Sequence, residues 1–302
     1  MKRTLVLFSE YVELSKKNDR LHVGTLRGET SLPVINLDGI LIYGKAKLTS
    51  EVIEVCAKGN IPILLLTHYG RIKGLILPPL SSEGLMRRLK QAKLYFAHRF
   101  VLAKYIVKRK LLEIEYVFDK NLEDLKLRVE RVQDYDSLFG IEGAGSREMF
   151  KVFAEEAKRQ GFDFEERTYN PPLNEANALL SFIYTLGYNL AISLIYTKGF
   201  DPYISYLHSK RGDHAAFASD LLEIIRPHLT SFALELLSSK VITKRDFYES
   251  RRAYYLNREG ARKILEALVS KKEDLLSLLK EFLIELENFE ALLPERARLS
   301  QF

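Results

Sequence analysis

The chain has 302 residues, 47% hydrophobic and 28% charged, with 46 Lys and Arg against 40 Asp and Glu for a formal charge of +6. That length and apolar content suit one large domain or two, and they exclude disorder, collagen and low-complexity arrays. The single cysteine, Cys56, forms no internal disulfide and supplies no cysteine-rich zinc site, as expected in a reducing cytoplasm.

The first eighty or so residues read as β-rich. The opening apolar run, Leu5-Val6-Leu7-Phe8, is soon interrupted by charge and is too short for the core of a signal peptide. Strands are expected at residues 4–8, 20–25 and 32–37, divided by turn signals at Lys17-Asn18-Asp19, Arg27-Gly28-Glu29 and Leu37-Asp38-Gly39. Further strands are expected at 39–43, 61–66 and 71–77. Between them Thr49 caps a helix that runs through Lys58 and stops at Gly59. Pro78-Pro79-Leu80-Ser81-Ser82-Glu83-Gly84 then reads as a linker.

Helical spacing dominates beyond it. Leu85, Leu89, Ala92, Phe96, Ala103 and Ile106 form one apolar face ringed by basic residues. Helices are expected at 122–132, 146–160, 174–197, 216–225, 229–238, 259–270 and 272–292. Residues 176–197 hold no charge, but Asn177, Tyr184, Asn189 and Ser193 mark them as a core helix, so no membrane is expected. The fold class is therefore α+β with two domains. A small N-terminal β-rich domain (1–80) precedes a larger C-terminal all-α domain (81–302).

Charge is segregated along the chain. Arg71 to Lys110 carries eleven basic residues and one acid, Glu83, and a second basic stretch runs from Lys240 to Arg252, whereas Glu281, Glu285, Glu287 and Glu290 make the C-terminal region acid-rich. Such patches suit a polyanion, because each neutralised phosphate releases counterions; a solvated helix face is the plainer alternative. Arg87, Arg88 and Lys90, with Lys244 and Arg245 in the second stretch, are the candidate DNA contacts.

Phosphate-loop, dinucleotide, metalloprotease-helix and serine-elbow motifs are absent from the sequence. Three segments could carry chemistry. Glu142 lies between Gly140 and Gly143, either a first-turn helix acid or a ligand, with Gly143-Ala144-Gly145 read as a tight turn ahead of the next helix. His208 follows an apolar-aromatic run and is a structural histidine or a metal ligand. Asp220 and Glu223 share a helix face amid Leu221, Leu222, Ile224 and Ile225; they repel unless a cation intervenes, and Arg226 is an available partner for Glu223. Together one imidazole and two or three carboxylates suit Mn²⁺ or Mg²⁺ and phosphodiester chemistry.

At these residues the chain resembles the CRISPR-associated Cas one family, the integrase and endonuclease of spacer acquisition. Gly140-Ile141-Glu142-Gly143 is similar to its catalytic glutamate segment. Pro171-Pro172 with Asn177-Ala178-Leu179-Leu180-Ser181-Phe182 resembles its Pro-Pro and Asn-Ala-Leu-Leu-Ser helix. Asp201-Pro202 with Leu207-His208 looks like its metal histidine, and Asp220-Leu221-Leu222-Glu223 with Arg226-Pro227 like its acidic helix. The resemblance implies that Glu142, His208 and Glu223 bind the metal, with Asp220 beside them as a supporting acid or further ligand. It implies a catalytic role for all four. It also implies attack of a captured DNA's 3′-hydroxyl on a phosphate at the edge of a CRISPR repeat. The implied partners are double-stranded DNA, a second copy of the chain held through the N-terminal domain, and the smaller adaptation protein Cas two. The chain departs from the family at Arg211-Gly212-Asp213-His214, where many members carry Gly-Arg-x-Ser; Asp213 is expected to cap the next helix. A branched-DNA repair nuclease and a non-catalytic basic scaffold are the alternative functions.

Overall fold

A computed structural model of the chain describes residues 2–26, 28–210 and 212–292. Arg27 and Arg211, named above, lie outside the described residues. The N-terminal strands are β1 (Arg3–Lys17), β2 (Arg20–Thr25), β3 (Gly28–Pro33), β4 (Leu37–Leu48), β5 (Ile63–Leu66) and β6 (Ile72–Ile76), with α1 (Ser50–Lys58) after β4. They form one six-stranded sheet in the order β3-β2-β1-β4-β5-β6. β4 runs parallel to both β1 and β5, while the outer pairings are antiparallel. A parallel centre is covered on both faces, and β4 is accordingly buried without alternation from Leu37 to Gly44. The strand expected at 32–37 falls earlier, at Gly28–Pro33, because that register pairs it with β2; Val34–Asn36 form a single helical turn.

The two faces of the sheet feed different cores. Ile40 and Ile42 of β4 join Val12, Leu14, Val52, Cys56 and Ile63 beneath α1, whereas Leu41, Tyr43, Leu64 and Leu66 belong to the core of the helical region. The alternation of side chains along a strand thus fuses the sheet to the helices.

The chain leaves the sheet at Ile76, and Ser81 caps α2 (Ser82–Phe118) by accepting from the Gly84 N–H at 3.0 Å. After α2, which bends at His98, come α3 (Glu123–Arg131), α4 (Tyr135–Arg159), α5 (Glu175–Thr197), α6 (Ala216–Ser238), β7 (Phe247–Ser250), β8 (Ala253–Leu256), α7 (Arg258–Glu287) and α8 (Phe289–Leu292). The C-terminal region is mostly helical, with one antiparallel β7–β8 hairpin that helical periodicity did not announce.

Three helices outrun their sequence signals. α4 starts at Tyr135, capped by Asp134, so Gly143-Ala144-Gly145 is helix and not a turn. α6 continues through Pro227 instead of breaking there. A proline in a helix interior costs about 3 kcal/mol, but burying each of Leu221, Ile224, Ile225 and Leu229 contributes about 1.5–3 kcal/mol, so packing wins. α7 likewise runs unbroken across Lys271 and Lys272. α5, long and apolar enough to cross a membrane, has 83% of its most apolar window buried against α6, α7, β4 and β8, as a core helix does.

Candidate carboxylate and histidine site

The site forms where α2, α4 and α6 meet the loop before α6. Gly145 permits the meeting. A Cβ there would lie 2.3 Å from Leu111 Cδ2, so only glycine lets α4 settle on α2 at this depth. The approach carries Glu142, one turn earlier on α4, to Lys110 on α2. The Lys110 ammonium donates to Glu142 Oε1, to Glu223 Oε2 at 2.5 Å and to Ser146 Oγ at 2.8 Å. Ser146 in turn donates to Glu142 Oε1 at 2.9 Å. Two carboxylates from two helices therefore converge on one cation.

Glu223 is held from its other side by Arg226, one turn along α6, at 2.7 Å. Burial pushes its carboxyl upward, and the charges of Arg226, Lys110 and His208 outweigh that, holding it well below the ordinary carboxylate range. The Arg226 guanidinium also lies over the Tyr184 ring, 5.1 Å from its centroid, and the Tyr184 hydroxyl meets Thr230 Oγ1 at 2.6 Å.

Asp220 spends its carboxylate on the loop. Oδ2 accepts from the N–H groups of Tyr206 and Leu207 at 2.6 and 3.1 Å, and Oδ1 from the His208 N–H at 2.9 Å. Oδ1 also faces His208 Nδ1 at 2.9 Å, which leaves Nε2 turned to Glu223 Oε1 at 3.8 Å. Burial lowers the imidazole's proton affinity, but the Asp220 hydrogen bond and the charges of Glu223 and Asp220 leave it raised. Asp220 is thus a positioning residue that fixes the ring and presents Nε2. Side-chain exposure rises from 0% at Lys110 and 3% at Glu223 to 19% at Glu142 and 30% at His208, so the site opens on the Glu142 and His208 side.

Among the described residues no group of three or more His, Cys, Asp and Glu side chains stands in metal-binding arrangement. The donor chemistry nevertheless fits a hard divalent cation: two carboxylates already share a buried cation, and beside them a histidine holds Nδ1 on a carboxylate and turns Nε2 toward Glu223, the pattern of metal-ligating imidazoles. Lys110 occupies that shared position, so a metal ion would replace its ammonium. A cleft of about 740 Å³, lined by Arg71, Arg167, Tyr188, His214 and Leu222 among others, opens beside the cluster but includes none of Glu142, His208 and Glu223.

Glu142, His208, Asp220 and Glu223 are brought together. Glu142 lies inside α4, which removes its reading as a first-turn acid. Arg87, Arg88 and Lys90 stand about 30–35 Å from Lys110 along α2, from the 1.5 Å rise per residue. Much of the basic α2 stretch is answered within the chain. Arg87 pairs with Glu287, Lys93 with Glu290 at 3.0 Å, Lys108 with Glu130 at 2.6 Å, and Arg109 lies 3.6–3.8 Å from Glu113, Glu281 and Glu285. The acid-rich end of the sequence thus covers part of the basic one. Lys244 and Arg245 lie exposed in the turn before β7, apart from the carboxylates. Asp213 does not cap α6, whose first turn follows Ala215 without a side-chain bond; its neighbour His214 stacks on Tyr188, 5.2 Å between centroids. Lys110 was missed as a site residue. Its signal was present: it continues the apolar stripe four residues after Ile106, where a lysine needs a buried partner.

Residues 5–270 match the profile of the family described as CRISPR associated protein Cas1. The chain belongs to the Cas1 family. It is 34% identical to the CRISPR-associated endonuclease Cas1 3 of Thermus thermophilus, over 84% of this chain and 80% of that one. To the CRISPR-associated protein Cas1 1 of Methanobrevibacter ruminantium it is 27% identical, over 86% and 82%. The solved CAS1 protein from Thermotoga maritima superposes with a TM-score of 0.78 at 28% identity, covering 95% of this chain and 96% of that one. The β-sheet followed by a mostly helical region is therefore the architecture of a solved Cas1 structure.

Proposed function

We propose that this Cas1-family chain is a metal-dependent DNA endonuclease and integrase of CRISPR adaptation. The observation that carries the reading is the convergence of Glu142 and Glu223 on one buried cation, beside a histidine whose Nε2 is turned to Glu223. Glu142, Glu223 and His208 Nε2 would hold Mn²⁺ or Mg²⁺. Bound there, the ion would supply Lewis-acid stabilisation of charge on a phosphate oxygen. Asp220 keeps the imidazole in one tautomer and orientation, and Arg226 neutralises the far oxygen of Glu223 so that the carboxylate stays ionised. In strand transfer the 3′-oxygen of a short DNA bonds to a backbone phosphorus at the repeat edge, and the bond to the displaced 3′-oxygen breaks. One phosphodiester replaces another, so no energy source is needed.

The relatives support this reading by name, several being called endonucleases. Structures of like fold include a casposase bound to integration product, a Cas1–DNA complex and a Cas6-RT-Cas1–Cas2 complex, at 21%, 16% and 21% identity. Double-stranded DNA, a second copy of the chain and Cas2 are the proposed partners, in the cytoplasm.

The test mixes a labelled short duplex bearing free 3′-hydroxyls with supercoiled plasmid carrying a repeat, with Cas2, in Mn²⁺ or EDTA. Wild type is expected to join label to plasmid only with metal, and His208→Ala to join none while keeping its circular dichroism spectrum. Equal joining by both proteins, or joining in EDTA, would overturn the site assignment.

A further inference from the structure

The fold treats the two basic stretches differently. In α2, Arg87, Lys93, Lys108, Arg109 and Lys110 are each tied to a carboxylate of the same chain. Between Lys240 and Arg252 the acids are Asp246 and Glu249. Asp246 is buried and spends its charge inward, on Lys263 at 2.7 Å and on the Thr243 N–H at 2.8 Å. Lys240, Lys244, Arg245, Arg251 and Arg252 are exposed, and none has an ion-pair partner among the described residues. Other exposed basic side chains without an ion pair among the described residues, Arg71, Lys73 and Lys90 among them, are spread along the chain, whereas these five lie together around the β7–β8 hairpin, with the Lys244 ammonium over the Phe162 ring at 5.9 Å.

The tip of that hairpin is Arg251-Arg252, closed by the pairing of Ser250 with Ala253. Both arginines have left-handed backbone, with φ of 51° and 62°. Two-residue hairpin loops with positive φ at both positions favour Asn-Gly, because a larger side chain there is strained. Strain kept by a well-determined structure points to use of the residues that bear it. The arms beneath are firmly seated: Phe247 packs edge-on to Phe162 at 6.2 Å, Ala253 and Leu256 are buried, and the Tyr254 N–H donates to the Pro172 carbonyl at 2.9 Å. One hairpin face carries the partly exposed pair Tyr248 and Tyr255, 5.7 Å between ring centroids. A rigid two-stranded ribbon with a doubly cationic tip is thereby held out from the helical region.

We propose that this hairpin grips the nucleic-acid backbone: Arg251 and Arg252 bind phosphates of duplex DNA, and Lys244 and Arg245 in the adjoining turn extend the contact. The inference rests on the reading of the chain as a DNA-acting enzyme. Its contacts are to phosphate and so position the duplex without reading sequence.

The double variant Arg251→Asn, Arg252→Gly tests it, because it removes both charges while installing the residues the turn prefers. Melting is expected at or above the wild-type temperature. Binding of a labelled 30-base-pair duplex is read by fluorescence anisotropy between about 50 and 300 mM salt. The slope of log affinity against log salt should fall by about 1.8, or about 0.9 per lost phosphate contact, with affinity down about tenfold at low salt. A folded variant that matches wild type in slope and affinity overturns the hairpin assignment alone. Wild type that fails to bind the duplex at all overturns the DNA reading and the hairpin assignment together.

Discussion

Lys110 shows how one side chain can decide the character of a site. Its ammonium is wholly buried and meets Glu142, Glu223 and Ser146, so it neutralises two carboxylates that would otherwise repel. Removing one partner of a buried charge network typically costs about 3–5 kcal/mol, because the remaining charges stay buried without compensation. Lys110→Met is therefore expected to lower stability at pH 7 by about that amount in urea unfolding. A second substitution, Glu142→Gln, placed on Lys110→Met should recover part of the loss, since it removes one of the two stranded carboxylates. Unchanged stability of the single variant would mean that the three side chains do not share the contact. Asp220 acts differently: it meets three loop N–H groups and one imidazole nitrogen, so its charge goes to the shape of the loop. Residue type and spacing singled out the four acidic and histidine candidates but left each two readings, and the metal role came from the resemblance, whereas Lys110 was hidden within a basic run, where burial does not show.

At the scale of the element, α4 contains Gly140, Gly143 and Gly145, and only packing tells them apart. A Cβ on Gly140 meets nothing within 4 Å, whereas one on Gly145 meets Leu111 at 2.3 Å. Gly140→Ala is expected to stabilise the protein by about 0.5–1 kcal/mol, the ordinary helix gain over glycine. Gly145→Ala should destabilise it by about 1–3 kcal/mol through overpacking and should reduce strand transfer, since α4 must move off α2 and take Glu142 with it. Thermal melts of the two variants side by side check the opposite signs, and matching shifts would contradict the packing. In the sequence Gly143 and Gly145 read alike, as parts of one tight turn. The same limit applies to Pro227, which breaks a helix by local rule but sits inside α6 because apolar contacts flank it on both sides.

For the whole molecule, the question is whether the sheet and the helices unfold together. β4 gives Ile40 and Ile42 to the core under α1 and Leu41 and Tyr43 to the helical core, so the two cores share a strand. Cys56 reports on the first of them: it is buried, and burial pushes its thiol up to about 11. A disulfide reagent at pH 8 is expected to leave native Cys56 unmodified, and in rising urea its reactivity should track the loss of helical circular dichroism. Modification at lower urea than the helical transition would mean that the N-terminal sheet opens on its own. At this scale α7 also brings Glu281, Glu285 and Glu287 against Arg87 and Arg109 of α2, across most of the chain length.

Local order was determined by the sequence itself: a β-rich start, a Pro-Ser linker, a helical remainder, a charge-free helix bound for the core, and four acidic or imidazole groups in the order of the Cas1 motifs. The elements follow from periodicity, capping and composition, which act over a few residues, and the order of the four groups from the resemblance to the family. Only the tertiary structure decided which charges are spent and which stay free. It placed Lys110 between Glu142 and Glu223, set the C-terminal glutamates on the α2 basic stretch and left the hairpin arginines unpaired among the described residues. The physical reason is distance along the chain: a carboxylate and its cation need a contact of a few ångströms, and residues 32 to 200 apart reach it only when the helices pack.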